Sequence, residues 1–181
     1  MDYKEKLIIR VVIAFLLFII PYSLINFILL KFTLYGSYPL LFLKYNPIIN
    51  GNAFIIENTL LKIISACVAT SAYYLLFGLV IFTKDIKLKQ SIYLILFGSI
   101  AIFLANILRI DLLIYIFVEF GKNFFERVHL FLWQFVSSIY VALIWIFLVK
   151  KLKIKTIPVY SDIKHLMHLI KPKKRKSKKR K

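Results

Sequence analysis

Four residues of this 181-residue chain have types and spacing that can do chemistry together: Cys67, Asn106, Arg109 and His129. A thiol attacks a carbonyl only as its thiolate, so it needs a neighbour that takes its proton. An imidazole can accept that proton and hand it on to a leaving amine. A guanidinium can stabilise the thiolate, bind a substrate carboxylate or carbonyl, or donate to the oxyanion of a tetrahedral intermediate. Asn106 stands one helical turn before Arg109, on the same face, where it can orient the guanidinium or donate to the oxyanion itself. Glu126, three residues before His129, could steer the imidazole if that stretch is helical, although a solvated loop acid explains it as well.

Whether these side chains meet depends on the elements that carry them. With 61% hydrophobic residues, 17% aromatic and a mean hydropathy of +0.80, the chain reads as an integral membrane protein and not as a soluble domain. Apolar runs occupy residues 7–30, 60–83, 91–110 and 129–149, each long enough to cross a bilayer core of ~30 Å. The expected fold is an all-α polytopic bundle of four transmembrane helices. The first run, interrupted by Arg10 and Pro21, is read as a retained helix: it exceeds a signal-peptide apolar region and no small-x-small cleavage site follows. Apolar character continues past Arg109 and Asp111 through residues 112–118, making a segment of roughly 42 Å if straight, so tilt, a bend or an interfacial piece is expected there.

Between the first two runs, Gly36, Pro39, Pro47 and Asn50-Gly51-Asn52 break up residues 35–57. This stretch predicts a short extracytoplasmic loop, or a hairpin of Ile48-Ile49 and residues 53–56 about a type I′ turn at Asn50-Gly51.

Basic residues set the orientation. The N-terminal end, the connection at residues 84–89, the segment 150–155 and the tail from Lys164 together hold 20 of the 26 Lys and Arg. The opposite side holds Lys31, Lys44, Lys62, Arg109, Lys122 and Arg127, together with the acids Glu57, Asp111, Glu119 and Glu126. Both termini are therefore expected in the cytoplasm. Counting from the cytoplasmic ends, Cys67 lies 16 residues above Thr83, Arg109 18 above Ser91 and His129 20 above Val149, or roughly 24, 27 and 30 Å of helix. Singly, each has an ordinary explanation as a small core residue, a snorkelling cation or an interfacial histidine. Together they fall in one thin layer at the outer leaflet, where a guanidinium near hydrocarbon calls for something to answer it.

The ordered set Cys67, then Asn106-x-x-Arg109-Ile110 late in the next span, then His129 opening the following one, resembles the exosortase and archaeosortase family of membrane sorting enzymes. The similarity covers about residues 51–145. It implies a polytopic helical enzyme of the cell membrane that processes a C-terminal sorting signal on secreted proteins by cysteine transpeptidase chemistry at the outer face. By the same resemblance Cys67 is the nucleophile, Arg109 the family's arginine and His129 the catalytic histidine, with Asn106 in support. Family members usually carry Gly soon after a Cys-Ser or Cys-Thr pair, where this chain reads Cys67-Val68-Ala69-Thr70-Ser71. Many are also longer, so this chain would be a minimal version.

A scissile bond cleaved at that depth belongs to a secreted protein with its own C-terminal membrane helix followed by a basic cluster. The acceptor is then a membrane lipid, another surface nucleophile or water. No cofactor is called for, and no metal either: His165 and His168 are i, i+3 in the tail with only Asp162 as a nearby carboxylate. The chain divides into a membrane-embedded domain, residues 1–155, and a cytoplasmic tail, residues 156–181. In the tail Ser161 can cap a short helix whose Ile163, Leu166, Met167 and Ile170 share one face, and Pro172 stops it. Eight of the last nine residues are basic, a run that anionic lipid headgroups attract and that, tethered under a bilayer, is assigned to lipid in preference to nucleic acid. The alternative to an enzyme is a small transporter or assembly factor that binds an anionic lipid or solute through Arg109.

Overall fold

Proline, glycine and asparagine decide where the helices stop, and not always where their presence suggests. A computed structural model describes residues 3–19, 22–83, 86–132 and 137–154. Among these, α1 (Tyr3–Ile19) and α2 (Tyr22–Tyr45) precede a small sheet of β1 (Ile48–Asn50), β2 (Ala53–Ile56) and β3 (Thr59–Lys62). A 3-10 turn, Ser65–Cys67, leads into α3 (Thr70–Ile81), then α4 (Leu88–Phe120), α5 (Lys122–Phe131) and α6 (Ser137–Lys151). Two of the helices, α2 with 24 residues and α4 with 33, are long and apolar enough to cross a membrane.

The chain is mostly helical but not all-α, and the expected span 60–83 is redrawn. The run 7–30 is divided between α1 and α2, with Pro21 outside the described residues. Helix α2 continues through Gly36 and Pro39, which the sequence marks as loop punctuation. Its face of Leu34, Ser37 and Leu41 is buried, and packing of that face outweighs the one backbone bond that Pro39 cannot donate. Gly36 lets α4 come close: a Cβ there would lie 2.5 Å from Ile107 Cδ1 and 2.9 Å from Phe103 Cζ. The helix ends where Asn46 turns left-handed, at φ 47°, and Pro47 prevents its resumption.

In the run 60–83 only Thr70–Ile81 is α-helical, because residues 59–62 pair with β2 instead. In the run 129–149, His129 is in the last turn of α5 and α6 begins at Ser137, with residues 133–136 outside the described residues. The expected span 91–110 and the apolar stretch 112–118 beyond it lie in one helix, α4. At about 50 Å it is longer than a bilayer core is thick.

The expected hairpin is one strand short of the sheet that forms. Strands β1 and β2 pair antiparallel as Asn50↔Ala53, so Gly51 and Asn52 fill the turn, one position later than forecast. Of these two only Gly51 has positive φ, +61°, the pattern of a type II′ turn. The second turn, Glu57-Asn58, has positive φ at both positions, 48° and 65°, as type I′ requires.

Helix α4 is the axis of the molecule, packing against α2, α3, α5 and α6. It runs parallel to α2, since Gly36 meets Phe103 and Ile107 while Lys44 pairs with Glu119 at 2.7 Å. Tyr45 also donates to Glu119, at 3.1 Å. One apolar cluster gathers Tyr73, Leu76, Leu94, Ile102, Val141 and Trp145; the other gathers Leu34, Leu41, Phe54, Ile56, Ile110 and Ile114. On α4 the first cluster ends at Ile102 and the second starts at Ile110. Asn106 and Arg109 lie between them, both buried. Asp111, counted with the outer charges in the sequence, instead turns its carboxylate oxygens inward beside Ser37. The cytoplasmic tail expected from residue 156 onward lies outside the described residues.

Candidate functional site

The polar layer between the two clusters is built around the turn that carries Cys67. Strand β3 delivers the chain to Ile63, whose N–H still donates to Asn52 O at 2.9 Å. The 3-10 turn then closes with Cys67 N–H on Ile64 O at 2.8 Å. Ala69, at φ 55°, reverses the chain into α3. A left-handed alanine costs about 1 kcal/mol or more relative to glycine, so the surroundings must hold it there.

Two helices supply that hold. From α4, Asn106 Nδ2 donates to Cys67 O at 3.0 Å. An Arg109 guanidinium N–H donates to the same oxygen at 3.0 Å and to Ala66 O at 3.4 Å. From α2, Asn26 Nδ2 donates to Ser65 Oγ at 3.0 Å and Asn26 Oδ1 accepts from Thr70 Oγ1 at 2.9 Å. The Cys67 turn is thus clamped on both sides. Beyond the three roles open to Arg109, its bonds to Ala66 O and Cys67 O serve a fourth: they order the backbone beneath the thiol. Asn106 shares that task instead of addressing the guanidinium.

His129 approaches from α5, which doubles back after Gly121. Its ring packs against Phe125, one turn earlier, with centroids 5.2 Å apart. Burial, and then the positive charge of Arg109, hold the imidazole below its ordinary pKa. It is therefore neutral at pH 7 and free to accept a proton. Glu126 pairs with Lys122 at 3.7 Å in solvent, the bland alternative for that residue.

Cys67 and His129 line one cleft of about 240 Å³. Its remaining wall is apolar, from Ile110, Leu113, Ile114 and Phe117 of α4 and from residues 60–63, with Lys62 the one charged side chain. The thiol is half-buried, whereas Arg109 is 8% exposed and sits behind it. Cys67, Arg109 and His129, distant in sequence, are therefore brought together. Asn26, Thr70, Ser65 and Lys62 belong to the same site and escape the sequence reading. Asn26 alone left a signal, as a lone amide within an apolar helix. No group of three or more His, Cys, Asp or Glu able to hold a metal ion occurs among the described residues. Comparison with protein-family models, with curated proteins and with solved structures gives no match, so function must be argued from this geometry.

Proposed function

We propose that the protein is a membrane cysteine peptidase or transpeptidase, resembling the exosortase and archaeosortase enzymes, that cleaves a C-terminal sorting signal of secreted proteins. The observation that carries this is the shared cleft of Cys67 and His129, with Asn106 and Arg109 gripping the Cys67 carbonyl from behind. A thiol and a neutral imidazole lining one cleft are the two groups that amide cleavage needs. The Cys67 Sγ–H proton passes to His129 as sulfur attacks the scissile carbonyl carbon. His129 returns that proton to the departing amine nitrogen, the C–N bond breaks, and a thioester on Cys67 remains. An incoming hydroxyl, amine or water then gives its proton to His129, attacks the thioester carbonyl and frees the thiolate, which takes the proton back. Arg109 and Asn106 act as positioning residues in this scheme, because both donate to the main-chain oxygen of Cys67.

The membrane setting is part of the proposal. Four crossings are assigned to α1 with the first half of α2, to α3, to α4 and to α6, with both termini in the cytoplasm and the cleft at the outer face. Supporting this, many large apolar side chains of α1, α2, α4 and α6 point outward, among them Phe15, Phe27, Leu104 and Phe147. Such a surface is matched by lipid. Helix α5, with Lys122, Asn123, Glu126 and Arg127, then lies at the interface. Substrates would be secreted proteins that end in a short motif, an apolar helix and a basic cluster, with a membrane lipid as one possible acyl acceptor. Anionic lipids would hold the basic tail. The rival assignment, a transporter or assembly factor using Arg109 to bind an anion, is disfavoured because that side chain is buried behind the cleft and donates to Ala66 and Cys67.

The test is co-expression with a candidate protein bearing such a C-terminal signal. Cys67→Ala should abolish its shortening, read by intact mass, while the level of the membrane protein stays unchanged. Shortening that persists with Cys67→Ala would overturn the assignment.

A further inference from the structure

Strand β3 ends the sheet, whose order is β1-β2-β3, so one of its edges has no strand partner among the described residues. The register shows which groups that edge presents. Residues of an antiparallel strand point their N–H and C=O alternately at the partner and away from it. Ile63 N–H donates to Asn52 O, and Ala53↔Lys62 and Phe54↔Leu61 continue the same ladder. Residues 59, 61 and 63 therefore bond towards β2, and the main-chain groups of Leu60 and Lys62 face the open edge.

That edge borders the cleft. Leu60, Leu61, Lys62 and Ile63 all line it. Side chains alternate across a strand, so consecutive residues can line one cavity only when the strand lies edge-on to it. The cleft thus holds a row of outward amides on one wall, apolar side chains of α4 on the other, and Cys67 and His129 alongside.

We infer that the polypeptide substrate enters this cleft as an extended strand and pairs with the free edge of β3, held by the main chain of Leu60 and Lys62. This rests on the peptidase assignment and adds how the substrate is held. The bound strand turns alternate side chains towards Ile110, Leu113, Ile114 and Phe117, so apolar residues two apart are selected on that face. Main-chain pairing supplies sequence-independent hold, and these pockets supply preference. An acyl chain would also suit the apolar wall, but it would cover the outward amides of Leu60 and Lys62 without bonding them, at a cost that a peptide avoids. A four-residue edge of about 13 Å is enough for a short substrate stretch immediately beside the scissile bond.

The experiment uses the full-length protein in lipid nanodiscs and two probes of Cys67: iodoacetamide, and an acetylated tetrapeptide of alternating valine and alanine ending in a chloromethyl ketone. Each alkylation rate is read by mass spectrometry. Leu60→Pro and Lys62→Pro each remove one outward N–H without touching the β2 ladder. Each should slow the peptide probe about tenfold, the worth of one such bond, and leave iodoacetamide unchanged. A peptide N-methylated at its inner amides should react about tenfold more slowly with the unaltered protein, a comparison that stands even if the proline variants fail to fold. Equal rates for the methylated and unmethylated peptides would overturn strand pairing and leave the peptidase assignment standing. Iodoacetamide rates that are the same in His129→Ala as in the unaltered protein would instead overturn the peptidase assignment itself.

Discussion

Arg109 and His129 show how differently two polar residues can serve one thiol. The guanidinium is tied to the carbonyls of Ala66 and Cys67, and bonds from a buried charged donor are worth about 1.5–3 kcal/mol. Arg109→Ala should therefore lower the thermal midpoint in detergent and reduce the Cys67 alkylation rate. Arg109→Lys should restore part of each, since one guanidinium nitrogen makes both bonds and an ammonium also carries several donors on one nitrogen. His129 acts through its proton. Its imidazole is held below the ordinary value of 6.5 by burial and by Arg109. The unfolded chain thus binds the proton more readily than the folded one between the two values, and stability falls as pH drops from 6.5 through the folded pKa. The same group should give the Cys67 alkylation rate an acid limb centred below 6.5. A pH series on the unaltered protein and on His129→Gln, which should lose that limb, checks this. Ala69 offers a third test at this scale. Because its φ of 55° is strained for any side chain, Ala69→Gly should raise the thermal midpoint or leave it unchanged, the relief offsetting the lost methyl contact.

At the scale of elements, local signals and tertiary packing disagree in instructive places. Asn46-Pro47 ends α2 as glycine-like and proline signals should, and Gly51 marks a turn that forms one residue from its forecast position. Gly36 and Pro39 mislead, because close packing against α4 and an apolar face retain the helix through them. Gly36→Ala should separate α2 from α4 and destabilise by about 1–3 kcal/mol, read as a fall in thermal midpoint. The second turn of the sheet carries no sequence signature, since Glu57 is an unusual residue for positive φ. Supplying the preferred pair, Glu57→Asn with Asn58→Gly, should stabilise by about 1 kcal/mol, again read in the melting of the purified protein.

For the whole molecule the measurable quantity is which end faces outward. On a Cys67→Ala background, a cysteine at Glu119 should react with a membrane-impermeant maleimide in intact cells, and one at Lys150 only after permeabilisation. The reverse pattern would contradict the orientation drawn from the basic residues. Glu119 is a useful site because its pairing with Lys44 marks the end where α2 and α4 finish together.

Composition and order alone determined a membrane-compatible, mostly helical chain and the placement of its positive charge along the sequence. Those properties follow from transfer free energies and helix lengths, which add along the chain and need no knowledge of partners. The tertiary structure decided that residues 59–62 are a strand, that Asn26 belongs to the site and that Arg109 grips a main-chain oxygen. It also decided that β3, a strand at the edge of the sheet, lines the same cleft as Cys67. The places of Asn26 and Arg109 depend on atoms about 3 Å apart contributed by residues 39 to 44 positions distant, such as Asn106 with Cys67 and Thr70 with Asn26. Spacing along a chain carries no record of such meetings until the packing of α2, α3 and α4 brings them about.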